Sequence, residues 1–263
     1  MSGVLHSVGR QLTFQVVIGE LRKITTLRSQ LWMASLTPVV LCFFTWQAIS
    51  GGQGTNWVEI WLQTLTYAQI FFIVITVNFF AAEFTSGQLF ASLALVPCRN
   101  KFLGGKALAL LVWVSPLSFL TVVLSFTSAY LAARYVGTGI EISTGMGRVL
   151  TGGHLLTMLG AGVYFVLLSF LVASLTVIFR QPLGLLASTI TWTQLLSPLV
   201  LENGLGLKKV AFLFPDLAGR ATFDPQIHDK IMQSLAVNWL VLLLWLSVLV
   251  FVAGAIFRRR DVT

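Results

Sequence analysis

The sequence predicts an all-α, polytopic membrane protein with six transmembrane helices, and three observations carry that prediction. Of the 263 residues, 56% are hydrophobic and 10% are charged, whereas soluble domains carry about 25% charged residues. Mean hydropathy is +0.87. The apolar residues fall into six runs of the length that a helix rising 1.5 Å per residue needs to cross ~30 Å of hydrocarbon. This composition excludes a disordered chain, a coiled coil and an ordinary soluble domain. Two cysteines exclude a disulfide scaffold.

The expected spans are 31–50, 60–82, 107–133, 155–179, 183–201 and 236–257, forming one transmembrane domain over 1–263. The third carries Pro116, which a membrane helix accommodates by kinking. Only Arg180, Gln181 and Pro182 separate the fourth from the fifth, so a tight hairpin is expected there. None of the runs has the polar–apolar alternation of barrel strands.

Orientation follows from the basic residues. Arg10, Arg22, Lys23, Arg28, Arg99, Lys101, Lys106, Arg180, Arg258, Arg259 and Arg260 gather on one side, with only three acids. Arg134, Arg148, Lys208, Lys209, Arg220 and Lys230 gather on the other, balanced by six acids. The first side is therefore read as cytoplasmic, with both termini inside. No clustered basic face marks a nucleic-acid partner. About 30 polar and basic residues precede the first run, so no cleavable signal peptide is expected. Cys42 in the first span and Cys98 in a cytoplasmic loop are expected to be free thiols.

Between the spans, three segments have character. Phe14, Val17, Ile18, Leu21, Ile24 and Leu27 recur at helical spacing, with Glu20, Arg22 and Lys23 between them. A basic amphipathic helix at about 13–30 lies in the membrane interface or serves as a simple positive-inside anchor. Thr85 and Gln88 have capping-box spacing, Leu89, Phe90, Leu93 and Val96 form an apolar face, and Pro97 stops the run before Arg99. A short helix at about 85–96 then either docks on a partner or lies on the membrane. Residues 202–235 mix apolar runs with Pro215, Asp216, Pro225 and Asp229, which reads as two short helices at or slightly within the outer interface.

Catalytic chemistry is not visible. There is no HExxH, CxxC pair or triad, and His6, His154 and His228 are scattered. Gly105-Lys106 lacks the Gly and Ser/Thr of a nucleotide-binding loop, with Asn100 and Ala107 at those positions. No charged residue sits within the core of an expected span, which argues against a proton-coupled transporter. The chain is read as no enzyme, with no cofactor or metal of its own. The polar residues inside the spans are uncharged. Gln69, Thr76 and Glu83 are spaced by seven in the second span, with Phe72 and Phe79 on nearly the same face. Thr189, Trp192 and Thr193 cluster in the fifth, where Gly184 and Ser188 are four apart. Such residues form helix–helix contacts or line a pathway.

Taken in order, Gly19-Glu20-Leu21-Arg22-Lys23, the segment Glu83-Phe84-Thr85-Ser86-Gly87-Gln88-Leu89 with Pro97 and Arg99, and Phe214-Pro215-Asp216-Leu217-Ala218 resemble the permease subunits of ABC-2-type ATP-binding-cassette exporters, particularly bacterial ones. Many members of that family have Arg or Lys where Thr85 stands. The resemblance implies a cytoplasmic-membrane protein exporting a drug, antibiotic, peptide or lipid, as in multidrug or antibiotic resistance. It implies that Glu83, Thr85, Gly87, Leu89, Phe90, Leu93 and Arg99 belong to a coupling helix docking on a separate ATPase subunit, which would bind ATP and Mg. The N-terminal helix would be a second contact. A second copy or sister permease would pair through the second and fifth spans, with Gln69, Phe72, Thr76, Phe79, Thr189, Trp192 and Thr193 at the seam or pathway. A membrane scaffold or immunity protein that binds a toxic peptide without moving it is the alternative.

Overall fold

The computed structural model describes residues 15–26, 28–51, 57–85, 99–136, 152–202, 208–231 and 233–259. The described residues are helical, with short turns between helices. Residues 15–26 form α1, followed by α2 (Arg28–Ser50), α3 (Trp57–Thr85), α4 (Arg99–Val136) and α5 (Gly152–Phe179). Then come α6 (Pro182–Leu201), a 3-10 turn (Lys208–Leu213), α7 (Pro215–Arg220), α8 (Pro225–Ile231) and α9 (Leu235–Arg259). Six helices, α2 to α6 and α9, are long and apolar enough to cross a membrane, which is the architecture of a multi-pass membrane protein. The helices run a few residues beyond the apolar runs. The largest extension is at α4, which starts at Arg99 and so takes Lys106 inside the helix.

The bundle is built around α5, which packs against α3, α4 and α9, while α2 covers α3 and α4 and α6 lies against α3. Small side chains let the helices approach, and aromatic rings fill the gaps. Phe72 of α3 stacks on Phe165 of α5 at 4.9 Å between centroids. Several polar residues inside the bundle bond between helices. Trp61 Nε1 donates to Ser125 Oγ at 3.0 Å, Thr45 and Thr64 hydroxyls meet at 3.0 Å, and Ser128 Oγ donates to the Cys42 carbonyl at 2.9 Å.

The α5–α6 hairpin forms as the charge and proline require. Arg180 takes a left-handed φ of 56° and its N–H caps the Thr176 carbonyl at 3.0 Å. Pro182 then opens α6, where a missing N–H costs nothing. Farther along α6, Pro198 has no N–H for the Gln194 carbonyl. The helix widens into a π turn over Trp192–Leu196, in which the Ser197 N–H reaches back five residues to Trp192.

Two expectations about the loops change. Glu20, expected on the polar side of α1, is buried next to Ile24, because a basic side chain inside the bundle faces it. The segment after α6 does form two short helices, but α7 is sunk into the bundle with Asp216, Leu217, Ala218, Gly219 and Arg220 all buried. The expected coupling helix falls mostly outside the described residues, and Gly87, Leu89, Phe90 and Leu93 lie there. Glu83 and Thr85 fall within the last turn of α3, and Arg99 opens α4.

Candidate functional site

The site lies at the α7 end of the bundle and is built from α3, α5, α6, α7 and α9. Pro215 fixes the start of α7, with Phe214 extended before it. One helical turn separates Asp216 from Arg220, so the acid and the base enter the bundle together. Tyr164 Oη of α5 donates to Asp216 Oδ1 at 2.8 Å. An Arg220 amine donates to Thr66 Oγ1 of α3 at 3.0 Å, and Gln194 of the π turn donates to the Thr66 carbonyl at 3.3 Å. Gly219 makes the close approach possible, because a Cβ there would run into the Tyr164 ring.

This set is only partly satisfied. Ser197, Gln69 and Tyr164 surround the buried Asp216 carboxyl as hydrogen-bonding neighbours, and Arg220 Nε is a buried N–H without an acceptor. Burial pushes the Asp216 carboxyl above its ordinary range, and the nearby Arg220 guanidinium, Ser197, Tyr164 and Gln69 oppose the rise in part. Asp224 immediately precedes α8 and accepts from the Gln226 N–H at 3.0 Å. Burial raises it too, again against the pull of Arg220.

Asp216 also closes one end of a cavity of about 370 Å³ between α3, α5, α6 and α9. The walls are almost wholly apolar, with Leu171, Leu175, Leu185, Phe214, Trp245 and Leu249 among them. Ser188, Thr189 and Thr193 bring hydroxyl groups, and Trp192 packs on Phe214 at 5.1 Å between centroids. Trp245 Nε1 donates to the Leu213 carbonyl at 2.8 Å and so ties α9 to the chain entering α7. A concave, apolar site with a few polar groups at one end can hold a hydrophobic or amphipathic molecule.

The expected pathway residues divide accordingly. Thr189, Trp192 and Thr193 line this cavity. Gln69, Phe72, Thr76 and Phe79 are buried inside the chain, with Gln69 close to Asp216 and Phe72 against α5. The face that α3 turns outward carries Glu59, Gln63 and Tyr67 instead, and α6 exposes Ser188 and Thr191.

A second charged centre sits at the opposite end, where α1 and the close of α9 lie. Lys106 Nζ is 3.7 Å from Glu20 Oε2, and Lys23 Nζ is 2.7 Å from Glu20 Oε1. Lys106 also lies 5.1 Å and 5.2 Å from the ring centroids of Phe79 and Phe80, and 6.0 Å from that of Phe102. Phe102 in turn stacks on Phe257 of α9. One buried cation thus joins α1, α3, α4 and, through Phe102, α9. Of the N-terminal trio, Glu20 and Lys23 belong to this centre, and Arg22 is exposed. Among the described residues no group of His, Cys, Asp and Glu is placed to hold a metal.

The sequence reading gave no role to Tyr164, Arg220 or Lys106. Their signals were the four-residue spacing of Asp216 and Arg220 behind a helix-starting proline, and a lysine at the edge of an apolar run. The chain matches no protein-family model and no curated protein sequence.

Proposed function

We propose that the chain is the transmembrane subunit of an ATP-driven exporter. It moves a hydrophobic or amphipathic substrate out of the cytoplasm of a bacterial cell, and separate ATPase subunits supply ATP hydrolysis. The observation that carries this reading is the apolar cavity lined by Thr189, Trp192 and Thr193 and closed at one end by Phe214, Pro215 and Asp216. Such a cavity at membrane depth selects for an apolar molecule. The excess of basic residues on the other side supports an outward-facing α7 end and cytoplasmic termini.

The resemblance to ABC-2 permeases supplies the motor. ATP closes the partner ATPases, and their motion enters through the segment at 85–96 and Glu83. The Lys106 centre stands just inside that entry point, and it ties α1, α3 and α4 so that they move together. A second permease copy would cover Gln63, Tyr67, Ser188 and Thr191, polar side chains that are poorly matched to lipid.

The test is purification of the tagged full-length chain from its native membrane in mild detergent, with co-purifying chains identified by mass spectrometry. A near-stoichiometric partner carrying nucleotide-binding motifs is the expected result. If the chain comes out alone from several gentle detergents, and no ATPase cross-links to Leu89 or Leu93, the exporter reading falls. The cavity then belongs to a scaffold or immunity protein.

A further inference from the structure

Three helix ends meet at the corner beside Lys106. Its ammonium reaches Glu20 of α1, and the Phe102–Phe257 stack at 6.3 Å joins the start of α4 to the close of α9. Arg22 lies two residues after Glu20, Lys101 one before Phe102 and Arg259 two after Phe257. Arg22 and Arg259 are exposed, and Lys101 is half-buried. The acids at this end among the described residues are Glu20, which Lys23 and Lys106 already engage, and Glu83 in the last turn of α3. The corner therefore carries a surplus of positive charge. Side chains nearby mark its level in a membrane. Ile18 is exposed on α1 one turn before Arg22, and Trp32 is exposed on α2 one turn after Arg28. Cations beside exposed apolar and indole side chains suit the boundary between lipid head groups and acyl chains.

We propose that the ends of α1, α4 and α9 form a binding site for the head group of an anionic phospholipid, with Arg22, Lys101 and Arg259 as its cations. The inference does not depend on the exporter reading. Charge complementarity selects the head group. A phosphodiester is an anion whose oxygens accept hydrogen bonds, and guanidinium and ammonium groups donate to it. A zwitterionic lipid brings its own ammonium to the corner and is disfavoured. The exposed Ile18 beside Arg22 selects a lipid over free phosphate, because it offers apolar surface to the first carbons of an acyl chain. Basic residues grouped between helices at this level hold such head groups. The bound phosphate bridges helix ends that otherwise repel one another, and so it also holds α1 against the bundle.

The experiment uses the purified full-length chain in mild detergent, mixed with phosphatidylglycerol and phosphatidylcholine of the same acyl chains. Lipid retained on the chain is counted by native mass spectrometry. Phosphatidylglycerol is expected to be retained about fivefold or more over phosphatidylcholine, and each charge removed should lower that preference by about two- to fivefold. The Arg22→Gln/Lys101→Gln/Arg259→Gln triple variant should bring the two lipids to near parity. Arg134→Gln/Lys230→Gln, which removes exposed cations from the other end of the bundle, should leave the preference unchanged. If the half-buried Lys101 does not tolerate substitution, Arg22→Gln/Arg259→Gln carries the test, since surface changes of this kind cost little stability.

Equal retention of the two lipids by the wild-type chain would overturn the inference and leave the corner to an acidic protein surface. A preference unchanged in both the triple and the double variant, or lowered as much by the control pair, would overturn the site while leaving a general attraction of a basic chain for anionic lipid. Excess inorganic phosphate, at matched ionic strength, should leave the phosphatidylglycerol in place, and displacement by it would overturn the lipid as occupant. The assay needs no ATPase. Selective retention by a chain that never co-purifies with an ATPase keeps this inference and sinks the exporter reading. Unselective retention by a chain that does form a stoichiometric ATPase complex does the reverse.

Discussion

Gly219→Ala is the sharpest probe of how α7 is held. The added Cβ would run into the ring of Tyr164, which is fully buried and has Phe165 and Phe223 at 5.5 Å on its flanks. The ring has little room to retreat, and overpacking of that kind costs about 1–3 kcal/mol. Moving the ring also pulls Tyr164 Oη from the 2.8 Å bond to Asp216. Stranding a buried partner of a charged group costs about 1–3 kcal/mol more. Alanine recovers about 1 kcal/mol of helix propensity. The net loss is about 1–5 kcal/mol, or roughly 2–20 °C in melting temperature. The assay is thermal unfolding of the purified chain in one lipid or detergent, followed by intrinsic tryptophan fluorescence.

Gly254→Ala is the control, because a Cβ there meets nothing within 4 Å. It should be neutral or stabilising by up to about 1 kcal/mol. A second arm places Gly219→Ala in a Tyr164→Ala background, where the clash has been removed. There the glycine substitution should add little, which makes the pair strongly non-additive. Wild-type stability in Gly219→Ala, or an equal loss in Gly254→Ala, would refute the close-approach argument.

Three further outcomes follow from the same structure. Burial raises the Asp216 and Asp224 carboxyls above their ordinary value of 3.8, so the folded chain holds protons that the unfolded chain has already released. Their contribution to stability therefore increases as pH falls from neutral through the raised folded values, and stops increasing near 3.8. Tyr164 and Arg220 are the ionisable groups facing Asp216, and Arg220 and Lys230 act on Asp224. The Asp216→Asn/Asp224→Asn double variant should flatten that part of the melting-temperature profile. Lys106→Ala should destabilise the docking of α1 more than Lys23→Ala, because Lys106 is buried among three rings while Lys23 is 43% exposed. Limited proteolysis near residues 15–26 would read the difference. Ser125→Ala leaves the fully buried Trp61 indole N–H without its acceptor. It should cost about 1–2 kcal/mol in thermal unfolding, the range for polar contacts between membrane helices.

The six spans, the α5–α6 hairpin and the break before α7 were legible in the sequence because each rests on local physics. Twenty apolar residues make a span, a proline after Arg180 starts a new helix, and Pro215 starts another. Thr189, Trp192 and Thr193 stood out for the same reason, as polar or amphipathic residues within one apolar run. Which face of a helix meets which neighbour is not local. The second-span stripe of Gln69, Phe72, Thr76 and Phe79 looked suited to a seam, yet packing against α5 buries it and turns Gln63 and Tyr67 outward.

By itself, then, the sequence determined that this chain is a set of apolar helices, with basic residues concentrated before the first and after the last of them. It also determined where each helix breaks, since hydropathy, charge and proline act over a few residues. Only the tertiary structure decided that Glu20 meets Lys106 beneath three phenylalanine rings. It alone decided that Asp216 and Arg220, from a segment outside the spans, sink between α3, α5 and α6 to close an apolar cavity. Those partners lie as many as 154 positions apart, as Arg220 and Thr66 do. A pairing over that distance is set by the packing of whole helices, which no short run of residues records.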